Sequence, residues 1–167
     1  MTFFNMDTHD ILEPQDWGFP IPIAYGPGRL KEIGKSCEKL NIKKPLIVTD
    51  RGSKDLPFIN NLIKYLESSN IKSDLFHKIS PNPKEDEIAG GCLVYKLGNH
   101  DAIIAIGGGS AMDGGKAICL TANNEIPLWD FEWELPPAKI NLGNEFPKLI
   151  TIPTTAGTGA ETESSAM

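Results

Sequence analysis

One stretch constrains this chain more than any other: Asp101 to Leu120, DAIIAIGGGSAMDGGKAICL. Ala102 to Ile106 is a short apolar run rich in branched residues, the composition of a parallel strand buried on both faces. Gly107, Gly108 and Gly109 come directly after it. Ser110 opens a helical pattern, and Asp113 three positions on completes a Ser-x-x-Asp capping box. A strand, a glycine turn and a helix start make an anion site. The first N–H groups of a helix have no partner within it, and its dipole favours negative charge there. Glycines let a phosphate approach backbone that a side chain would cover. The stretch is therefore a candidate phosphate cradle, although the same pattern also serves helix-strand packing alone.

Two common cradles can be tested against it. The dinucleotide fingerprint G-x-G-x-x-G, counted from Gly107, requires glycine where Met112 stands. The P-loop pattern ending at Gly115-Lys116 requires glycine in place of Ser110 and a hydroxyl in place of Ala117. Neither pattern fits.

At 167 residues the chain matches one domain with its own core. A net charge of −6 disfavours a nucleic-acid partner, which calls for a basic face. No apolar run approaches the length of a membrane span, and the acidic N-terminal segment MTFFNMDTHDILEP lacks the basic and apolar regions of a signal peptide. Cys37, Cys92 and Cys119 are widely spaced and lack a C-x-x-C pattern, which predicts reduced, mostly buried thiols in a cytoplasmic protein. His9, His77 and His100 show no metal-ligand spacing.

Taken in order, residues 1–18 read as an N-terminal arm and 19–167 as a nucleotide-binding domain. Within Phe19–Tyr25 the prolines restrict the segment to an edge strand or an extended segment, and the expected fold carries an N-terminal edge strand or hairpin before the parallel sheet. After the turn Gly26-Pro27-Gly28, Leu30, Ile33, Cys37 and Leu40 recur at helical spacing. Leu46–Thr49 reads as a strand ending at Asp50, and a helical stripe runs through Ile59, Leu62, Ile63 and Leu66. Ile71–Phe76 reads as a weaker strand, and Ile88, Cys92 and Tyr95 mark a helix ended by Gly98 and Asn99. Alternation of this kind gives βαβ units and a parallel sheet. Ligands then lie outside the carboxyl ends of the strands. Asp50, Asn82 and the cradle all fall at such ends, which predicts one shared mononucleotide or dinucleotide pocket.

Asn123–Phe146 has no clear period and carries Trp129, Phe131 and Trp133; it is read either as a functional loop or as cover for a core edge. Leu149–Pro153 resumes a strand and leads into TTAGTG, where hydroxyls and N–H groups can meet phosphate, ribose or nicotinamide.

Together, GGGSAMDGGKA and ITIPTTAGTGAE resemble the paired motifs of the iron-containing (group III) alcohol dehydrogenase family. Tyr25-Gly26-Pro27-Gly28, Ile47 to Gly52 and Asn82-Pro83 extend the likeness from about Phe19 onward. The resemblance implies a Rossmann-like α/β domain that binds NAD, or less readily NADP. It also implies a C-terminal all-helical domain holding Fe2+ or another divalent metal, whose ligands lie outside this sequence. By motif match, Gly108, Gly109 and Ser110 are implied to bind the pyrophosphate, with Asp113 on the nicotinamide side. Thr154, Thr155, Thr158 and Asn82 match further cofactor contacts. Asp50 would accept bonds from adenosine ribose hydroxyls and repel a 2′-phosphate, which favours NAD.

The implied reaction is hydride transfer between an alcohol or aldehyde and the nicotinamide, in a homo-oligomer. On this reading the present sequence supplies the cofactor half and contains neither catalytic nor metal-ligating residues. The alternatives are a non-catalytic nucleotide-binding fragment, or a relative resembling glycerol dehydrogenase or 3-dehydroquinate synthase. Two departures from the family pattern stand out: Ala160 replaces a hydroxyl residue, and Glu163 stands where a cofactor-contacting threonine is common. Gly114 and Gly115 each cost about 1 kcal/mol in a helix relative to alanine, which calls for close packing against that helix.

Overall fold

The computed structural model describes residues 14–18, 21–140, 146–163 and 165–166. Strands β1 (Gln15–Gly18) and β2 (Pro22–Tyr25) form an antiparallel hairpin separate from the main sheet. Each strand is an edge, the position in a sheet where a proline such as Pro22 is tolerated. Part of the segment read as an arm is thus the hairpin's first strand; Phe19 and Pro20 lie outside the described residues. Arg29, at the start of the next turn, ties the hairpin to the domain through a 2.8 Å ion pair with Asp16.

A 3-10 turn (Arg29–Glu32) runs into α1 (Ile33–Lys39). Next along the chain come β3 (Pro45–Asp50), α2 (Pro57–Ser68), β4 (Asp74–Ile79), α3 (Glu85–Leu97), β5 (Ala102–Gly107), α4 (Gly109–Thr121) and β6 (Lys148–Pro153). The sheet is parallel, in the order β4-β3-β5-β6. Its side-chain alternation divides the core in two. Ile47, Ile104 and Ile106 pack with Cys37, Ile59, Leu62 and Leu66 beneath α1 and α2. Leu46, Val48 and Ile103 pack with Phe76, Ile88, Tyr95 and Ile118 beneath α3 and α4. Because β3 and β5 are covered on both faces, their apolar runs show no alternation in sequence.

The chain leaves β3 toward one face and β4 toward the other, and β5 returns to the far side of β3. The crevice between β3 and β5 is therefore the topological switch point of the sheet. This is the α/β, Rossmann-like architecture that the sequence implied.

Two boundaries differ from the sequence reading. The fourth strand begins at Asp74 rather than Ile71, because α2 closes with Asn70 in the left-handed region (φ 58°) and the Ile71 N–H bonded to Leu66 O at 3.0 Å. Ile71 is buried but belongs to the helix end. At the end of α3 the left-handed residue is Asn99 (φ 50°), while Gly98 keeps helical angles. The aromatic loop does not cover a core edge as a unit: Trp133 is 96% exposed and Trp129 60%. Leu128 packs on the α3/α4 core, and Trp129 Nε1 donates to Glu85 Oε2 at 2.8 Å.

The helical glycines are accounted for by packing. A Cβ on Gly115 would stand 2.5 Å from Ala105 Cβ, and one on Gly114 would stand 2.8 Å from Ile79 Cδ1. The strands themselves press against α4. No helix among the described residues is long and apolar enough to cross a membrane.

Candidate nucleotide-binding site

The site begins where β3 and β5 end side by side. Buried Thr49 donates through Oγ1 to Ile106 O at 2.7 Å, fastening the two strand ends together. Gly107 then turns the chain with φ 146°, in the region that favours glycine. A Cβ there would lie 2.7 Å from Ala111 Cβ and 3.1 Å from Asp50 Oδ2. The turn starts the helix earlier than the sequence pattern implied. Gly108 is the N-cap, α4 opens at Gly109, and no side chain caps it. The expected Ser110–Asp113 capping box is therefore absent. Ser110 already lies inside the first turn, where its Oγ accepts the N–H of Asn82 at 3.4 Å, and Asp113 pairs with Lys116 Nζ at 3.4 Å.

The second motif closes on the first. Thr154 N–H donates to Gly107 O at 2.9 Å, carrying the pairing of β5 and β6 into the loop. A Cβ on Gly108 would come 3.4 Å from Thr155 Oγ1, and one on Gly109 would come 3.1 Å from Thr158 Cγ2. Two side-chain-free positions thus lie against two threonines at the start of α4, whose first N–H groups have no intrahelical partner. Thr154, Thr155 and Thr158 are all exposed, at the edge of the sheet. The donor set and the missing Cβ atoms suit a pyrophosphate.

Asp50 lies beside this turn and also shapes its own loop. Oδ1 accepts from Gly52 N (2.9 Å) and Ser53 N (3.0 Å), and Oδ2 accepts from Ser53 Oγ at 2.7 Å. The carboxylate is held rigidly at the end of β3 and keeps spare lone pairs. Asn82 is exposed, in the left-handed region at φ 56°. All nine residues singled out in sequence therefore lie along one carboxyl edge. Asp113 joins it through Lys116, whose Nζ also donates to Ser165 O at 2.7 Å, beyond the threonine loop. The departures from the family pattern are absorbed locally: Ala160 is buried, where a hydroxyl would need a partner, and Glu163 approaches Gly159.

Sequence reasoning missed Arg51 and Glu87. Glu87 Oε2 accepts from Ser80 N (3.0 Å), Ser80 Oγ (2.9 Å) and Lys84 N (3.2 Å), and Oε1 pairs with Arg51 Nη2 at 2.6 Å. Burial would push this carboxyl up, but those bonds and the Arg51 charge outweigh it and hold it below the usual range. An acid in the first turn of a helix looks like an ordinary dipole complement, and only its burial marks it out. The three thiols are free; burial pushes Cys37 up to about 11 and Cys119 up to about 12, so neither is a nucleophile at neutral pH. Among the described residues no group of three or more His, Cys, Asp or Glu side chains could hold a metal ion. A groove of about 350 Å³ is bounded by Glu85, Ile88, Cys92, Leu93, Thr121 and Leu128.

Residues 20–167 match the family described as iron-containing alcohol dehydrogenase. The chain is 36% identical over 157 residues to the choline dehydrogenase of Bacillus subtilis (strain 168), covering 94% of this chain and 39% of that one. A crystal structure of 1,3-propanediol oxidoreductase superposes with a TM-score of 0.74 at 32% identity, covering 81% of this chain and 34% of that one. Sulfoacetaldehyde reductase from Bifidobacterium kashiwanohense, solved in complex with NAD+, gives 0.70 at 28% identity, covering 81% and 35%. The chain thus spans little more than a third of the length of these proteins.

Proposed function

This chain belongs to the iron-containing alcohol dehydrogenase family, and from that premise we propose that residues 19–167 form the NAD-binding unit of an oxidoreductase acting on an alcohol or aldehyde. Bound NAD would supply the hydride acceptor. The chain's own part is to hold and orient it. The N–H groups of Gly109 and Ser110 donate to the pyrophosphate, which approaches because Gly108 and Gly109 carry no side chains. Thr155 and Thr158 close on it from the opposite wall, and Thr154 anchors that wall to β5. Asp50 accepts from the adenosine ribose hydroxyls and repels a 2′-phosphate, so NAD is preferred to NADP. Asn82 and Asp113 flank the remainder of the dinucleotide, Asp113 keeping its charge away from phosphate.

The observation that carries this reading is the approach of Thr155 and Thr158 to the two positions where a Cβ would close the gap. The relative solved with NAD+ supports it. Calorimetric titration of the folded protein tests it: NAD should bind more tightly than NADP, and the absence of heat with both would overturn the assignment. We further propose a cytoplasmic homo-oligomer, in keeping with the free thiols and with exposed Leu93, Leu97 and Trp133. A monomeric mass by light scattering across micromolar concentrations would refute the oligomer.

A further inference from the structure

We infer that Glu87 is a specificity-determining residue, which disfavours NADP by holding Arg51 away from the adenosine ribose; this rests on the NAD reading above. Asp50 and Arg51 are consecutive, so they leave β3 on opposite sides. Asp50 turns toward Gly107 and the cradle, whereas Arg51 turns toward β4. Arg51 is a cation at the very edge where a 2′-phosphate would sit, and its planar fork suits a phosphate well. Its guanidinium is nonetheless committed elsewhere. Nε donates to Lys78 O at 3.0 Å and Nη2 pairs with Glu87 Oε1 at 2.6 Å.

The two members of the pair are unlike in exposure. The Glu87 side chain is 5% exposed and that of Arg51 63%. The buried partner fixes the direction of the exposed one. Glu87 is itself fixed by the three donors from Ser80 and Lys84 on its other oxygen, so the pair does not depend on two flexible chains finding each other. With Arg51 held, the ribose edge presents Asp50's negative charge without a compensating cation. With Arg51 released, the same edge would offer a 2′-phosphate a guanidinium within a side chain's reach.

Glu87→Gln separates this role from a structural one. A glutamine carbonyl can replace Oε2 and keep the bonds from Ser80 and Lys84, while its NH2 in place of Oε1 meets only donors on Arg51. Titration of the purified protein with NAD and with NADP should show NADP affinity rising about fivefold in the variant, the worth of one partly exposed charge contact, with NAD changed less than about twofold. The gain should vanish in Glu87→Gln/Arg51→Ala. Arg51→Ala alone should leave the NAD-to-NADP ratio unchanged, which keeps the test available should the Glu87 variant fold poorly. Equal weakening of both cofactors in Glu87→Gln, a ratio change that survives removal of Arg51, or a loss of NADP affinity in Arg51→Ala alone would each overturn the inference. A natural protein that binds neither dinucleotide would overturn the cofactor reading and this inference with it.

Discussion

The two ends of the sheet use the same chemistry for different purposes. At the amino edge, Asp101 accepts the N–H groups of Lys43 (2.7 Å) and Lys44 (2.9 Å), Lys44 Nζ donates to Gly98 O at 2.5 Å, and His100 Nδ1 lies 3.1 Å from Lys44 O. At the carboxyl edge, Asp50 likewise accepts two backbone N–H groups of a turn. Each aspartate fastens a loop to the end of a strand. They differ in what stands beside them. Asp101 is next to a carbonyl already bonded to its neighbours, whereas Asp50 is next to a glycine turn and a helix whose first N–H groups have no intrahelical partner. A carboxylate that stabilises a turn is thus no indicator of a site until its surroundings are known.

Substitutions at the two edges test that contrast. The largest effect is expected from Gly109→Val, which places a side chain in the cradle and should weaken NAD binding about 100-fold, the loss of one or two hydrogen bonds to a charged group. Folding stability should change by less than the binding free energy does, since this is a half-buried helix start where an added Cβ meets the Thr158 side chain. Titration beside a urea melt would expose the opposite pattern. The aspartates come next. Asp50→Ala and Asp101→Ala should each cost about 1–2 kcal/mol by stripping N–H groups of their acceptor. In addition, Asp50→Ala should lower NAD affinity about tenfold, and Asp101→Ala should leave it alone. Equal cofactor affinities in the two variants would abolish the distinction between the edges.

The smallest effect concerns Glu87. Its folded-state acidity is depressed, so its contribution to stability is present above the unfolded value of about 4.3 and is lost as pH falls through the lower folded value. The stability gap between the natural protein and Glu87→Gln should therefore narrow progressively as pH falls below about 5.5 in urea melts. A gap independent of pH would show that the carboxylate's charge contributes nothing.

The contrast also explains what could be read from sequence. β3, β5, α2 and the body of α4 were legible because burial dictates their apolar pattern: Ile47, Ile104, Leu62 and Ile118 have no choice of environment. The register of the cradle was not. Ser110 and Asp113 spell a capping box, but Gly107's positive φ brings the helix in two residues sooner and sends both side chains elsewhere. Asn70 similarly delays β4 by a backbone conformation that alternation of apolar residues does not encode. Glu87 escaped because its importance lies in burial and in partners on Ser80, Lys84 and Arg51, which converge only in three dimensions. The nine candidate residues were found as separate loops; their contiguity comes from the strand order.

Gly114 and Gly115 have a mechanical consequence. With no side chain between α4 and the sheet at these positions, Ile79 and Ala105 meet helix backbone directly. The helix is thereby keyed to the strands and cannot slide along them by half a turn without collision. The opposite wall is built differently. Gly157, at φ 128°, has no neighbour within 4 Å of where a Cβ would stand, and Gly159 lies at φ 68°. One wall is locked by packing, and the other turns on two glycines whose backbone angles other residues rarely adopt.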